Sequence, residues 1–133
     1  MAIVVLDTDV VSRYRAGRLP AGYLRVVSAH PHCVAFATAG ELWKGALDKR
    51  WGGPRRAGLD LWLAREPILR ANLRVAKVWG AITVDAQRRG RPRPLNDSWI
   101  AACCIEGGLP LVTLNRRDFA DFAEHDGLVL LGG

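Results

Sequence analysis

Ala2-Ile3-Val4-Val5-Leu6-Asp7 is the stretch of sequence that decides the fold. Its first five residues are apolar, three of them are β-branched, and the run stops at a carboxylate. A continuous apolar run of this kind is typical of a strand that is covered on both faces. Weaker runs of the same type follow at residues 33–35, 67–71, 110–113 and 128–131. The sequence therefore contains five candidate strands.

Segments with helical spacing lie between these strands. The spacing predicts helices over residues 38–50, 72–90 and 97–106, and the last is apolar almost all round, so we expect it to be buried. Two loops are expected, one over residues 51–56 between two helices and one over residues 88–94 before the buried helix. Because strand and helix alternate from end to end, the sequence predicts an α/β fold, a parallel sheet with helices on both faces. We expect one domain over residues 1–133.

The composition is globular and basic. Half of the residues are hydrophobic, which excludes a disordered tail or a fibrous protein. Nineteen Lys and Arg against thirteen Asp and Glu give a net charge of +6, and sixteen of the nineteen are Arg. The guanidinium group is well shaped for two-pronged contact with phosphate. Charge alone leaves two equal alternatives, contact with nucleic acid or a solvated arginine-rich surface.

The three cysteines do not have the spacing of a metal site or of a disulfide framework. Cys33, Cys103 and Cys104 are interpreted as small buried hydrophobic residues in a reducing compartment. The apolar run before Asp7 is too short for a signal peptide and lacks a basic region. No stretch approaches the roughly 20 apolar residues that span a bilayer. We therefore expect a cytoplasmic protein that does not enter a membrane.

Four acidic residues follow candidate strands or open helices at the expected carboxyl edge of the sheet. They are Asp7, Glu41, Asp97 and Asp118. Ligands of open parallel sheets bind at this edge. Two carboxylates about 4 Å apart repel by roughly 4 kcal/mol at an effective dielectric of about 20, so such a group takes up protons or needs a cation. Oxygen ligands at a wet edge suit Mg²⁺ or Mn²⁺ rather than zinc.

Two of these acids have an alternative interpretation as caps near the start of the chain. Asp7 can cap the helix that follows the first strand, although Asp9 is the better cap candidate. Thr38 and Glu41 have the spacing of a capping box, in which the glutamate bonds back to the first amide of the helix. Both alternatives stay open on the sequence alone.

The other two acids have the same ambiguity. Asn96 can cap the buried helix, which would free Asp97 to face the edge of the sheet. Asn115 and Asp118 have the spacing of a cap and its third helical residue. A shared site is expected because all four acids fall at the same edge of the sheet.

Four blocks of sequence, in this order, resemble the signature blocks of PIN-domain proteins. They are LDTDVVS (residues 6–12), ELWKGA (41–46), LNDSWIAA (95–102) and VTLNRRDF (112–119). Within that family the chain is most similar to the VapC toxins of bacterial type II toxin–antitoxin systems. The resemblance covers nearly the whole chain, and its most specific part is the Asp97 block followed by Thr-x-x-x-x-Asp-Phe.

The resemblance implies a three-layer α/β/α fold with a five-stranded parallel sheet. It also implies Mg²⁺-dependent cleavage of RNA and inhibition by a cognate VapB antitoxin, usually on a toxin homodimer. The matching positions make Asp7 and Asp97 the metal ligands, with Glu41 and the acid of the last block completing the site. In that block the acid can occupy two places, and because the first is Asn115 the role falls to Asp118.

Asp9 is a departure from the family pattern, because many relatives have Asn at this position. It either adds a charge beside the pocket or caps a helix.

The predicted reaction is metal-assisted hydrolysis of a phosphodiester, in which Glu41 or Asp118 orients or deprotonates the water. No Ser/His/Asp or Cys/His set competes, because none of the three histidines lies near the four blocks. Several arginines beside two of the acidic blocks either guide the RNA backbone or are solvated surface charges. They are Arg88, Arg89, Arg91, Arg93, Arg116 and Arg117.

Two other functions stay open. Asp7-Thr8-Asp9 after an apolar strand also resembles the motif of haloacid-dehalogenase-type phosphatases, in which the first Asp attacks phosphate. The further motifs of that family cannot be placed here. The second alternative is a PIN-like module that binds RNA or a protein without cleavage, through Trp43, Trp51 and the bend at residues 52–54. A trapped aspartyl-phosphate would support the first, and RNA left intact with Mg²⁺ the second.

Overall fold

The computed structural model describes residues 2–132, in which strands and helices alternate. The strands are β1 (Val4–Leu6), β2 (His32–Ala35), β3 (Ile68–Leu69), β4 (Leu111–Val112) and β5 (Leu130–Leu131). The helices are α1 (Thr8–Arg15), α2 (Ala21–Ala29), α3 (Phe36–Asp48), α4 (Gly53–Arg65), α5 (Leu73–Arg88), α6 (Leu95–Gly107) and α7 (Arg116–His125). None of these helices is long and apolar enough to cross a membrane.

The five strands form one parallel sheet in the order β3-β2-β1-β4-β5. Val5 of the central strand lies opposite Cys33 on one side and Leu111 on the other. The chain first builds outward from β1 to β3 and then returns to the other side of β1, so the strand order reverses between β1 and β4. The carboxyl ends of these two strands therefore flank the crevice in which open parallel sheets bind ligands.

Two hydrophobic clusters cover the two faces of this sheet. Val5 and Leu111 pack in one cluster with apolar residues of α5, α6 and α7. The next residues along the same strands, Leu6 and Val112, pack in the other cluster with α1, α2, α3 and α4. Because successive side chains of a strand point to opposite faces, each strand needs apolar residues at every position. The three-layer α/β/α fold is confirmed.

Helix α6 is buried, as its sequence predicted. Five consecutive residues, Ile100 to Cys104, are at most 2% exposed. The C-cap of the helix is Gly108, which has φ 65° in the left-handed region that glycine adopts without strain. Cys33, Cys103 and Cys104 are free and buried, and burial raises the pKa of each thiol. This rigid helix fixes the position of its first turn, which carries Asp97.

Two predicted helix starts are wrong at the beginning of the chain. Asp7, rather than Asp9, is the N-cap of α1, because β1 passes directly into the helix at Thr8. Helix α3 begins at Phe36, before Thr38, so Thr38 and Glu41 do not form a capping box. Ala35 takes the N-cap position because β2 continues into α3 without a break, and packing rather than a side-chain cap sets the start.

Helix starts also differ in the second half of the chain. Helix α6 has Pro94 as its N-cap, so Asn96 already lies in the first turn and does not cap the helix. Asn115 is the N-cap of α7 by position, but its side chain makes no capping bond. The predicted loop at 51–56 is shorter than expected, because Gly52 and Pro54 start α4.

Ile100→Ala should lower the free energy of unfolding by about 2–5 kcal/mol, because Ile100 is fully buried and the cavity left behind cannot close completely. Urea denaturation followed by circular dichroism measures the change. Val129→Ala is the control, since Val129 is 56% exposed and its truncation should change stability by no more than about 0.5 kcal/mol. Equal effects of the two substitutions would contradict the assignment of α6 to the core.

Candidate active site

Asp7 lies at the end of β1, is 5% exposed, and has both carboxylate oxygens occupied by hydrogen bonds. The Thr8 backbone N–H donates to Oδ1 at 2.8 Å, and the hydroxyl of Thr113 donates to Oδ2 at 2.8 Å. Thr113 is fully buried and directly follows β4. The Asp7 carboxylate is therefore held in one orientation across the crevice between β1 and β4.

Glu41 of α3 reaches the same crevice through Thr8. The Thr8 hydroxyl donates to Glu41 Oε1 at 2.8 Å and lies 3.3 Å from the hydroxyl of Thr38. Since Thr8 directly follows Asp7, this contact places Glu41 beside the first acid. Glu41 therefore contacts Thr8 of α1 instead of the first amide of its own helix, α3, as the capping box would require.

Asp97 lies in the first turn of α6 and is surrounded by negative charge. Burial raises its pKa, and the charges of Asp7, Asp118 and Glu41 raise it further, while Arg93 opposes them, so that the pKa reaches about 7. Asp118 belongs to the first turn of α7. The structure thus brings the four predicted acids into one electrostatic neighbourhood from four different elements.

The pKa of Asp7 is also raised, to about 6. Burial is the largest cause, and the negative charges of Asp9 and Glu41 add to it. The hydrogen bonds from Thr113 and Thr8 act in the opposite direction, because they stabilise the charged form. Burial and neighbouring carboxylates thus both disfavour the charged forms of these two acids in one crevice.

Asp9 and Asn115 form a second pair at the entrance to the crevice. The Asn115 side-chain amide donates to Asp9 Oδ2 at 2.8 Å, and the Asn115 backbone N–H donates to the Thr113 hydroxyl at 3.0 Å. These contacts explain why Asn115 does not cap α7 with its side chain. Of the two roles left open for Asp9, the structure shows a charge beside the pocket and not a helix cap.

Thr8 and Thr113 were not predicted as site residues. Thr8 directly follows Asp7, and Thr113 is the last residue of the candidate strand at residues 110–113. These positions were the only signal in the sequence. Their positions make them the residues that orient Asp7 and Glu41.

The donor chemistry of the site suits a hard cation. The groups whose charges act on one another here are carboxylates, namely Asp7, Asp9, Glu41, Asp97 and Asp118, whereas the three cysteines are buried. In residues 2–132, no three His, Cys, Asp or Glu side chains form a ready-made metal cage. Mg²⁺ usually keeps several waters and is bound through only one or two carboxylates, so the residues fit this ion better than a cation that needs a full protein cage.

One of the flanking arginines has a structural partner. Arg89 Nη2 donates to Asp121 Oδ2 at 2.6 Å and lies 3.6 Å from Asp126, which ties the end of α5 to α7. Arg89 is therefore engaged in an ion pair that neither of its two expected roles included. Arg93 lies close enough to lower the pKa of Asp97.

Two of the three histidines contact carboxylates outside the candidate site. His32, in β2, pairs with Glu66, just before β3, and His125 Nε2 lies 3.7 Å from Asp121 Oδ1. These pairs leave the carboxylates as the chemical centre of the crevice.

Comparison with known proteins gives a family match over residues 4–125, which match the PIN domain. Ribonuclease VapC1 of Haemophilus influenzae (strain R2866) is 27% identical over 120 residues, which cover 88% of this chain and 90% of that protein.

Two solved structures are similar over nearly their whole length. VapBC-1 from nontypeable Haemophilus influenzae has a TM-score of 0.80 at 24% identity, covering 97% of this chain and 96% of the other. VapBC2 from Rickettsia felis, bound to a DNA fragment from its promoter, has a TM-score of 0.81 at 20% identity, with 97% of each chain covered. At these identities the likeness supports the fold alone.

Asp97→Asn should stabilise the protein increasingly as the pH rises from about 4 to 8 in the absence of divalent ions. The carboxyl titrates near 3.8 ordinarily and at about 7 in the folded chain, so wild-type stability is complete below the lower value and is lost as pH rises through the higher one. Asn carries no charge and escapes this loss. We expect a gain on the order of 1–2 kcal/mol at pH 8 after screening by water.

Urea denaturation at several pH values in EDTA measures this difference. Asp60→Asn, which removes an exposed carboxylate on α4, controls for the change in net charge. A stability difference between wild type and Asp97→Asn that does not grow with pH would contradict the crowding of charge around Asp97.

Proposed function

Since the chain belongs to the PIN-domain family, we propose that it is a VapC-type ribonuclease toxin that hydrolyses RNA phosphodiester bonds with Mg²⁺. Mn²⁺ is the expected substitute ion. The proposal includes a cognate VapB-type antitoxin that inhibits the enzyme, a toxin homodimer, and action on RNA in the cytoplasm. The name of the Haemophilus ribonuclease and the VapBC complexes among the similar structures support the activity and the partner.

The observation that carries this proposal is the raised pKa of Asp7 and Asp97 at the point where the strand order reverses. Neighbouring carboxylates at a ligand-binding edge favour a bound cation, and a divalent cation also offsets the charge that develops when a phosphodiester is hydrolysed. Asp7 and Asp97 are the residues that would hold the ion. When bound, Mg²⁺ supplies Lewis-acid stabilisation of the phosphoryl oxygen and lowers the pKa of a coordinated water.

The chain's own residues do the positioning. Thr113 and the Thr8 amide fix both oxygens of Asp7, so this carboxylate does not reorient when a ligand arrives. The Thr8 hydroxyl fixes one oxygen of Glu41 and leaves the carboxylate able to orient a water or accept its proton. Asp118, whose charge acts on Asp97, is the second group proposed for this role.

The phosphatase alternative gains no support, because the family match covers most of the chain and belongs to the PIN domain. The non-cleaving module is the second candidate that an assay must exclude, since it has the same fold.

Asp97→Asn should lower the rate of RNA cleavage by more than about 100-fold. Removal of a residue that only supports a metal ligand costs about 10–100-fold, and loss of the ligand itself should exceed that. Cleavage of total RNA with Mg²⁺, followed by sequencing of the new RNA ends, measures the rate and finds the cut sites. Asp60→Asn is the matched control and should cut like the wild type.

Thermal unfolding with and without Mg²⁺ tests metal binding independently of cleavage. The wild type should become more stable with Mg²⁺ and Asp97→Asn should not. RNA that stays intact with wild-type protein and either Mg²⁺ or Mn²⁺ would contradict the ribonuclease proposal and favour the binding module.

Thr113→Val should reduce cleavage by about 10–100-fold while the fold is retained, because it removes the hydroxyl that donates to Asp7 Oδ2 at nearly constant side-chain volume. The Mg²⁺ concentration that gives half-maximal cleavage should rise. Thr113→Ser keeps the donor and should recover most of the activity. Equal activity of the Val and Ser variants would show that the hydrogen bond to Asp7 does not matter.

A further inference from the structure

A groove of about 450 Å³ runs from the candidate active site along the helices on one face of the sheet. Thr8, Asp9 and Glu41 line it where it meets the acids, and Gly45 and Ala46 line its middle. The groove lies between α1, α3 and α4. A molecule bound in it is therefore continuous with whatever the acids bind.

The charge of this groove changes sign along its length. Helices α1 and α3 both start at the carboxyl edge of the sheet and run away from it. Asp9 and Glu41 lie toward their starts, whereas Arg15 is the last residue of α1 and Lys49 is the C-cap of α3. Eight residues separate Glu41 from Lys49, which corresponds to about 12 Å along a helix.

The cations at the far end of the groove are free to bind an anion. Arg15, Lys49 and Arg55 all line the groove, and within residues 2–132 none of them forms a salt bridge. Arg55 lies over the indole of Trp51, with its guanidinium carbon 4.0 Å from the ring centroid. A guanidinium stacked on an indole is a flat, cationic platform of the kind on which nucleobases stack.

We propose that this groove binds the nucleotides next to the scissile phosphate of a single-stranded RNA, with Arg15 and Lys49 on backbone phosphates and a base stacked at Arg55 and Trp51. The inference rests on the proposed function and extends it to a substrate subsite. One polymer satisfies both ends of the groove: its scissile phosphate lies at the acids with their cation, and its next phosphates lie at the free cations. The stacked guanidinium and indole favour RNA over a peptide, because a base presents a flat face that stacks on them.

Gly45→Met tests the groove without removing a charge. A Cβ at Gly45 meets no atom within 4 Å, so the longer side chain extends into open space in the middle of the groove. Gly80 in α5 is a matched control, because it is also helical, also has no atom within 4 Å of a Cβ, and lies outside the groove. Both substitutions replace a helical glycine and should raise helix stability rather than unfold the protein.

Binding is measured by fluorescence anisotropy with Mg²⁺ and a labelled, mixed-sequence single-stranded RNA of ~12 nucleotides. The background is Glu41→Gln, which keeps both proposed metal ligands and removes the carboxylate proposed to activate the water, so that cleavage is slowed. We expect Gly45→Met to weaken binding about tenfold or more and Gly80→Met to change it less than about twofold, since only the first fills the groove. Equal binding by the two variants overturns the proposal and leaves the groove to a protein segment.

Arg55 variants separate stacking from charge. Arg55→Lys keeps the charge but loses the planar group, and should weaken binding about fivefold or more with an unchanged salt dependence. Arg55→Ala should weaken binding at least as much, again with little change in salt dependence, because Arg55 is assigned to a base. Lys49→Ala removes a proposed phosphate contact and should lower the slope of log affinity against log salt by about 0.7, the value for one phosphate contact on a single strand. Arg56→Ala, the exposed neighbour that does not line the groove, should change neither. If Arg55→Ala binds RNA like Arg56→Ala, the proposed platform is wrong.

Cleavage by chains with the native Glu41 separates this inference from the proposed function. A wild type that binds RNA but does not cut it, with binding lost in Gly45→Met, supports the groove and contradicts the ribonuclease. If the wild type cuts RNA and Gly45→Met has the same KM and kcat, the result supports the ribonuclease and overturns the proposed RNA subsite in the groove.

Discussion

Burial and the charges of neighbouring carboxylates both disfavour the ionised forms of Asp7 and Asp97. The rest of the structure must hold these two acids together in spite of that energetic cost. The parallel sheet places Asp7 in the crevice, because β1 and β4 are neighbours whose carboxyl ends meet where the strand order reverses. The buried helix α6 carries Asp97 to the same point. Strands covered on both faces and a rigid apolar helix supply the stability that a cluster of acids removes.

Helix capping and the proposed metal binding are compatible roles for the Asp7 carboxylate. Asp7 accepts the Thr8 amide as the N-cap of α1 and the Thr113 hydroxyl from the next strand, and these two bonds fix its orientation. Glu41 is fixed through the same Thr8 residue. The groove extends from this site along α1 and α3. These helices place Asp9 and Glu41 at the end of the groove near Asp7, and Arg15 and Lys49 at the far end.

The sequence predicted the layered fold well because two-sided burial requires continuous apolar strands, and the helices at residues 72–90 and 97–106 have long apolar patterns. It did not predict α2, a nine-residue helix without a side-chain cap. The sequence predicted helix starts least well. Whether Asp7 or Asp9 caps α1, and where α3 begins, depend on how the strands pass into the helices, which tertiary packing decides. For the site, acids could be assigned to an edge by their position after strands. The hydrogen bonds of Thr8, Thr113 and Asn115 could not be predicted, because they join residues that are far apart in the chain.

Proton release on Mg²⁺ binding tests the shared carboxylate site most directly, because a cation lowers the pKa of the acids that it contacts. Isothermal titration calorimetry in buffers of different ionisation enthalpy counts the protons. With a metal-free pKa of about 7 for Asp97, the wild type should release about half a proton per ion at pH 7, and more at pH 6, where Asp7 also contributes. Binding of Mg²⁺ without proton release, or no binding at all, would contradict a site in which these carboxylates share one divalent ion.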